Sequence, residues 1–151
     1  MTEINLQAPV LGSAAIEIAA LPGVVWSVIS EVNQWPSWNP DVSGAQLLGP
    51  LAVGTAFRWR AGPGTITSTL LGVEPERELS WRGSSLGVRA LHVWRLRPAA
   101  SGTALEVEES MEGFPARLFR RTLQRTLDAA LRSGLAAVKA EAERRSNPAG
   151  A

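Results

Sequence analysis

The chain has 151 residues, 45% of them hydrophobic, and a formal net charge of +1, which is typical of one soluble globular domain with a substantial core. So small a net charge gives no bulk attraction to nucleic acid or to an anionic membrane. There is no cysteine and only one histidine, which excludes disulfides, thiolate metal sites, a cysteine nucleophile and a multi-histidine metal centre.

No segment of the chain has the signature of a targeting or membrane-spanning sequence. The first residues lack a basic region followed by an apolar run, and no run approaches the ~18 apolar residues of a membrane span. We therefore expect a cytoplasmic protein that forms one domain over residues 1–151. Its ends, residues 1–12 and 146–151, are predicted to be flexible.

The first part of the chain predicts one strand followed by short helices. Residues 14–20 place apolar and polar side chains on opposite faces, which is typical of a strand. Pro22 suits the first turn of a helix, and apolar residues at helical spacing continue it to about Val32. Two prolines within residues 35–40 limit that segment to one helical turn or a compact loop.

From Asp41 onward the pattern is that of a β meander closed by one long helix. Turn residues separate six further predicted strands, over residues 42–48, 55–61, 65–73, 78–83, 88–98 and 103–111. Helix composition follows over residues 116–145, with an apolar stripe of Leu123, Leu127, Ala130, Gly134 and Val138, flanked by Leu131 and Leu135. One antiparallel sheet of about seven strands wrapped round this helix is a two-layer α+β fold.

Two neighbouring predicted strands each interrupt an apolar face with one ionisable residue, His92 on the first and Glu109 on the second. The connection between them, residues 99–102, is short and contains glycine, as in an antiparallel hairpin. If Leu96 pairs with Leu105, His92 faces Glu109 directly. Because an unsatisfied polar pair is costly on an apolar surface, these two residues are the best candidates for chemistry.

The sequence leaves three interpretations of this pair open. A histidine that a carboxylate orients can move a proton near neutral pH, as enolisation, dehydration or aldol-type closure of a keto substrate requires. The same pair can hydrogen bond to a hydroxyl or carbonyl group of a ligand without any reaction. The third interpretation is a buried structural pair that only defines the register of the hairpin.

Aromatic residues are the second distinctive feature, with six tryptophans, three phenylalanines and no tyrosine. Several have inward parity on different strands, which suits a pocket for a flat or lipid-like ligand, while core packing is the alternative for each of them. Ser68 is a candidate hydrogen-bond partner for such a ligand. The candidate ligand contacts are Trp26, Phe57, Trp59, Ser68, Trp81, Trp94, Met111, Leu127 and Leu131.

Two further groups of residues have competing interpretations. Trp35 and Trp38 either cap a cavity entrance or cover the sheet edge, and we favour the sheet edge because loops must keep water from the core. The start of the terminal helix is basic, with Arg117, Arg120, Arg121, Arg125 and Arg132. Such a cluster suits nucleic acid or anionic lipid, but acidic residues near it in sequence favour a solvated face.

A series of short landmarks runs through the chain in a particular order. They are Val25 to Ser30 followed by Trp35 to Pro40, Gly54-Thr55-Ala56-Phe57, Glu74-Pro75 ahead of Leu79-Ser80-Trp81, His92-Val93-Trp94, Gly102-Thr103 ahead of Glu108-Glu109-Ser110, and the leucine-rich terminal helix. In this order, over about residues 12–144, they resemble the polyketide cyclase/dehydrase-like proteins of the START-related SRPBCC superfamily. The resemblance is specific for a fold and not for a function.

The resemblance implies a helix-grip fold, in which a curved antiparallel sheet closes round the C-terminal helix and leaves an elongated apolar cavity. Members bind lipids, sterols, hormones or polyketides, and a minority catalyse aromatisation, cyclisation or dehydration. The characterised aromatase/cyclases place arginine and hydroxyl side chains, tyrosine among them, inside the pocket. This chain departs from that pattern, because it has no tyrosine and its strand arginines, Arg58, Arg60, Arg89, Arg95 and Arg97, have outward parity.

We therefore expect a protein that binds a hydrophobic or aromatic small molecule, lipid- or polyketide-like, between the sheet and the terminal helix. No cofactor, metal or nucleic acid is expected, and the protein is predicted to be a monomer or homodimer. The first alternative is a cyclase or dehydratase with His92 as general base and Glu109 orienting it. The second is a non-catalytic interaction protein, co-chaperone-like, with a filled core and an exposed apolar patch.

Overall fold

Seven strands and four α-helices make up residues 1–147, the part of the chain that the computed structural model describes. The strands are β1 (Val10–Ile18), β2 (Gly44–Leu47), β3 (Ala56–Arg60), β4 (Thr65–Glu74), β5 (Glu78–Ser85), β6 (Val88–Ala99) and β7 (Gly102–Glu112). The helices are α1 (Pro22–Ser30), α2 (Trp35–Trp38), α3 (Phe114–Leu118) and α4 (Arg120–Ser146), and a 3-10 turn spans Val32–Gln34.

The strands form one antiparallel sheet in the order β1-β7-β6-β5-β4-β3-β2. Strands β2 to β7 are therefore a meander of neighbours, and β1 joins its far edge beside β7. Helix α4 crosses one face of the sheet and packs mainly against β1, while α1 packs against α4. This arrangement confirms the helix-grip fold that the sequence predicts.

The sheet begins earlier than the sequence predicts. Strand β1 starts at Val10, which is fully buried, so the prediction of a flexible start is wrong for residues 10–12. Upstream of β1, the Thr2 N–H donates to the Glu78 carboxylate at 3.0 Å. The predicted flexible tail lies outside the described residues, apart from Ser146 and Asn147.

The predicted terminal helix is divided into α3 and α4 at Phe119, whose backbone leaves helical geometry at φ −105° and ψ 31°. The side chains that α4 buries are Leu127, Leu131, Leu135, Val138 and Ala142. Ala130 and Gly134, which the sequence places in the buried stripe, instead border a cavity. None of the described helices is long and apolar enough to cross a membrane.

Gly12 of β1 is the point of closest approach between the sheet and α4. A Cβ atom at this position would lie 2.8 Å from Leu131 Cδ1 and 2.9 Å from Leu127 Cδ2. Both distances are shorter than any normal carbon contact, so the helix can lie this close to β1 only because residue 12 has no side chain.

Ion pairs hold the far end of α4. Glu141 accepts hydrogen bonds from Arg144 at 2.7 Å and from Arg145 at 3.0 Å, and Arg145 also reaches Glu31 beyond the end of α1 at 3.1 Å. The Arg144 hydrogen bond, followed by that of Arg145, holds the pKa of Glu141 down to about 2, against the opposing effect of burial. Folding is therefore coupled to ionisation of this carboxylate.

We predict that Glu141 stabilises the fold only where it is ionised. Its folded-state pKa of about 2 lies below its ordinary value of 4.5, so its contribution is complete above pH 4.5 and is lost as the pH falls toward 2. The substitution Glu141→Gln is expected to lower the free energy of unfolding by about 1–2 kcal/mol at pH 7. It is also expected to remove the loss of stability that protonation of Glu141 causes as the pH falls. Urea unfolding at a series of pH values measures both effects.

Glu74→Gln serves as the control for this prediction, because Glu74 is exposed and makes no ion pair within residues 1–147. Its acid dependence is expected to follow that of the unmodified protein. An acid dependence that is identical in Glu141→Gln and the unmodified protein contradicts the prediction.

Candidate functional site

A cavity of about 410 Å³ lies between the sheet and α4. This volume falls within the range of pockets that hold small organic ligands. Indole rings and aliphatic side chains form most of its wall, and the ionisable groups on it are His92, Glu109 and Asp41. Its apolar wall favours a ligand that is itself largely apolar.

The cavity exists because the inward face of the sheet carries large side chains at one end and small ones at the other. In one row across the sheet, Trp94 opposes Val107, and both are buried. Four residues further along the same strands, Gly83 opposes Ala90, which opposes Met111. The small residues of this second row, Gly83 and Ala90, leave unfilled space under α4, and all three residues border the cavity.

His92 and Glu109 lie in the row between these two. Strand β6 pairs with β7 so that Leu96 opposes Leu105 and His92 opposes Glu109, as the sequence predicts. His92 Nδ1 and Glu109 Oε2 are 2.5 Å apart, and the two side chains are only 11% and 13% exposed. An ionised carboxylate only accepts hydrogen bonds, so with Glu109 ionised the donor in this contact is Nδ1–H.

Two tryptophans pack against the imidazole ring. Trp81, which opposes His92 on β5, stacks on it with ring centres 4.3 Å apart and planes inclined by 13°. Trp94 meets it edge to face at 5.2 Å. With Glu109 on Nδ1, the ring is restrained in both position and rotation.

The other ring nitrogen, His92 Nε2, is buried and has no hydrogen-bond partner among residues 1–147. A buried polar atom without a partner is unfavourable by roughly 1–3 kcal/mol, so a ligand that supplies the missing hydrogen bond recovers that energy. Since His92 borders the cavity, the geometry makes this nitrogen the natural polar contact for a ligand.

A second buried polar atom without a partner in the described part of the chain is Nε1 of Trp38, a residue that also borders the cavity. Two other indoles in this region are satisfied: Trp35 Nε1 donates to the Ile29 carbonyl at 3.0 Å, and Trp59 Nε1 donates to Ser68 Oγ at 3.1 Å. An indole N–H can only donate. Trp38 therefore offers one donor to an acceptor atom in the cavity.

The aromatic residues form one rigid cluster, with Trp35 at its centre. The Trp35 ring lies 5.4–6.1 Å from the rings of Phe57, Trp59, Trp81 and Trp94. Because Trp35 and Trp38 both border the cavity, the favoured interpretation that they cover the sheet edge is wrong. The short helix α2 brings them onto the cavity wall.

The structure brings most of the predicted contact residues to the cavity. Those on its wall are His92, Glu109, Trp59, Trp81, Trp94, Met111, Leu127 and Leu131. Three others lie elsewhere. Phe57 is fully buried in the aromatic cluster, Ser68 is occupied by the Trp59 indole, and Trp26 packs against the core on α1.

Several wall residues were not predicted, among them Ala90, Asn39 and Asp41. Ala90 could have been found from the small inward-facing residues on β5 and β6. No sequence signal identifies Asp41, whose carboxylate accepts a hydrogen bond from Ser133 of α4 at 2.7 Å. The predicted outward parity of the strand arginines is confirmed, since none of them borders the cavity.

A family model described as polyketide cyclase/dehydrase and lipid transport matches residues 10–143. A comparison with curated proteins gives no significant match. Among solved structures, the chain is similar to the ZhuI aromatase/cyclase from Streptomyces sp. R1128, with a TM-score of 0.79 and 21% sequence identity over 93% of this chain and 97% of that one.

Two further structures have the same fold. A hypothetical protein from Helicobacter pylori matches with a TM-score of 0.81 and 14% identity, over 94% of this chain and 97% of its own. A START superfamily protein from Mycobacterium smegmatis matches with a TM-score of 0.68 and 16% identity, over 85% of this chain and 96% of its own. At these identities the similarity establishes the fold alone.

We predict that His92 and Glu109 are energetically coupled. Removing one partner, in His92→Phe or Glu109→Leu, leaves the other polar group buried without its hydrogen bond and lowers the free energy of unfolding. The double variant removes both groups and is expected to recover about 1–3 kcal/mol relative to the sum of the single changes. A double-mutant cycle by urea unfolding measures this coupling.

The exposed pair Arg97 and Glu106, on the outer face, provides the comparison. Its coupling, measured in Arg97→Gln and Glu106→Gln, is expected to stay below about 1 kcal/mol because water screens the charges. A coupling between His92 and Glu109 no larger than this would contradict the prediction.

Proposed function

Because the chain belongs to the polyketide cyclase/dehydrase and lipid transport family, we propose that it binds a hydrophobic or aromatic small molecule in the cavity between the sheet and α4. The observation that carries the proposal is His92 Nε2, a buried nitrogen without a hydrogen-bond partner among residues 1–147, in a residue that borders an otherwise largely apolar cavity. The apolar wall favours binding of the ligand's apolar surface, and a hydrogen bond to Nε2 orients the ligand.

The apolar wall sets the class of ligand. Burial of apolar surface contributes roughly 25 cal/mol per Å², so a ligand that buries about 200 Å² gains on the order of 5 kcal/mol before the entropy of binding is subtracted. The rigid aromatic cluster loses little entropy when it meets a flat ring system. Planar aromatic or polycyclic molecules therefore suit the cavity better than flexible polar ones.

The polar atoms select among apolar ligands. When Nδ1–H donates to Glu109, a neutral imidazole presents Nε2 as an acceptor for a ligand hydroxyl, and an imidazolium presents it as a donor to a ligand hydroxyl or carbonyl oxygen. The Trp38 N–H suits a carbonyl or ether oxygen. A ring system that carries oxygen substituents, as lipid-like sterols and polyketides do, matches both features of the wall.

We predict that His92 gives the protein a preference for α-naphthol over α-methylnaphthalene, two ligands of nearly equal size. The preference is expected to be about tenfold, because only the naphthol hydroxyl can satisfy Nε2. Titration of the tryptophan fluorescence measures both dissociation constants. In His92→Phe the two compounds are expected to bind equally.

Trp26→Phe is the matched control, because Trp26 is a tryptophan outside the cavity wall, and it is expected to retain the preference. Ala90→Phe, which places a ring in the cavity, is expected to weaken binding of both compounds. Failure of both compounds to bind, or a preference that survives in His92→Phe, would count against the proposal.

A second candidate function is catalysis of the cyclase or dehydratase type, which the orientation of His92 favours. Glu109 holds Nδ1, so Nε2 is directed to act as a general base. In such a reaction Nε2 takes a proton from the carbon next to a ligand carbonyl, and the resulting imidazolium is stabilised by Glu109. The same proton then goes to the hydroxyl that leaves as water, or to the alkoxide formed when the enolate closes a ring on a second carbonyl.

The catalytic candidate predicts that His92→Ala lowers the turnover of an aromatic β-hydroxy ketone by about 10²–10⁴ while circular dichroism shows an intact fold. Glu109→Gln is expected to have a smaller effect, because it keeps a hydrogen-bonding group next to Nδ1, and Trp26→Phe is expected to have none. Formation of the conjugated enone is followed by its ultraviolet absorbance. Unchanged turnover in His92→Ala excludes the role of general base.

The third interpretation, a co-chaperone-like interaction protein, predicts a filled core together with an exposed apolar patch. The open cavity beneath α4 does not fit a filled core, although large apolar side chains such as Phe114 are exposed.

A further inference from the structure

Four large apolar side chains protrude at one end of the molecule. Leu86, Phe114, Leu118 and Phe119 are 76%, 74%, 61% and 56% exposed. Isolated exposed apolar residues are common, but a cluster of large ones indicates an interaction site. We call these four side chains the apolar tip.

The side chains of the apolar tip come from two adjoining parts of the chain. Leu86 lies in the turn between β5 and β6, and the other three belong to α3 and to the junction with α4. A Cβ atom at Gly87 would lie 3.3 Å from Pro115 Cγ, so the turn packs directly against α3. Gly113 also approaches the Gly87 carbonyl too closely to allow a side chain. The two parts therefore form one continuous surface.

The apolar tip adjoins the mouth of the cavity. Exposed residues on the cavity wall mark where it opens, and they include Pro63, Leu86 and Thr126. Leu86 belongs both to the cavity wall and to the apolar tip. A surface that covers the tip would therefore lie next to the cavity entrance.

Positive charge surrounds the apolar tip. Arg117, Arg120, Arg121 and Arg125 are exposed and form no ion pair in the described part of the chain, whereas Arg95, Arg97, Arg144 and Arg145 all do. The carboxylates closest in sequence accept hydrogen bonds from neutral amide side chains and form no ion pair with these arginines within residues 1–147. Glu112 accepts a hydrogen bond from Asn5 at 2.8 Å, and Asp128 accepts one from Gln124 at 3.0 Å.

We propose that the apolar tip docks on the surface of an anionic phospholipid bilayer, with its four side chains in the interface and the four arginines on lipid phosphates. Arginine beside protruding leucine and phenylalanine is the composition of segments that lie in a membrane interface. The charge complementarity favours anionic lipid over a neutral surface. A second part, that ligand passes between the bilayer and the adjoining cavity, rests on the proposed ligand-binding function.

The docking is tested by co-sedimentation with vesicles of phosphatidylcholine alone and of phosphatidylcholine mixed with phosphatidylglycerol, at low ionic strength. The unmodified protein is expected to bind the mixed vesicles and to dissociate when salt is raised. Replacing two arginines, Arg117→Gln with Arg121→Gln, is expected to lower the partition constant roughly tenfold to thirtyfold. Phe114→Ser with Phe119→Ser is expected to lower it by roughly tenfold or more.

The matched control is Arg58→Gln with Arg60→Gln, which removes the same charge from exposed positions on the outer face of the sheet. It is expected to leave vesicle binding within about twofold of the unmodified value. Equal effects of the two arginine pairs, or binding independent of phosphatidylglycerol, would overturn the proposal. Failure to bind mixed vesicles at low salt would overturn it as well and would favour an acidic protein as the occupant.

The proposal of bilayer docking and the proposal of ligand binding in the cavity can be disproved independently. Binding of α-naphthol in the cavity is expected to be unchanged in the Arg117 and Arg121 variant, because neither residue borders the cavity, and the same titration shows that the variant is folded. If the Arg117 and Arg121 variant loses vesicle binding but still binds α-naphthol, the result supports the docking surface. If the unmodified protein does not bind α-naphthol, the result counts against the cavity proposal only.

Discussion

The register between β6 and β7 is the constraint on which the rest of the site depends. Pairing of Leu96 with Leu105 places His92 opposite Glu109, and the neighbouring pairings add Trp81 on one side and Gly12 on the other. A shift by one residue would turn the whole row to the outer face. A single alignment of four strands therefore determines both the polar pair and its surroundings.

The same alignment explains why a cavity is present where a core would otherwise form. Rows of large side chains fill one half of the space beneath α4, and the row that contains Gly83 and Ala90 leaves the other half open. Gly12 lets the helix approach β1, so the space is closed on that side. The polar pair lies at the boundary between the filled half and the open half, with Nδ1 engaged by Glu109 and Nε2 without a partner among the described residues.

Much of this could be predicted from the sequence, because it depends on local rules. Strand parity and a short hairpin connection are sufficient to pair His92 with Glu109, and the landmark order is sufficient for the family and the fold. Parity gives the face of the sheet on which a residue lies but not its position relative to the cavity. For this reason the prediction that Phe57 and Ser68 line the cavity is wrong. That position depends on Trp35 and on where α4 lies, which only tertiary packing determines.

The central claim, that Nε2 is the free polar contact in the cavity, is tested most directly by long-range proton–nitrogen NMR of the imidazole. The chain has a single histidine, so every imidazole signal belongs to His92, and Nε2 is told from Nδ1 because it couples strongly to both carbon-bound ring protons. The account predicts that saturation with α-naphthol moves the Nε2 resonance and leaves the Nδ1 resonance, engaged by Glu109, nearly in place. An Nε2 resonance that does not move when the ligand is bound, or a larger movement at Nδ1, would contradict it.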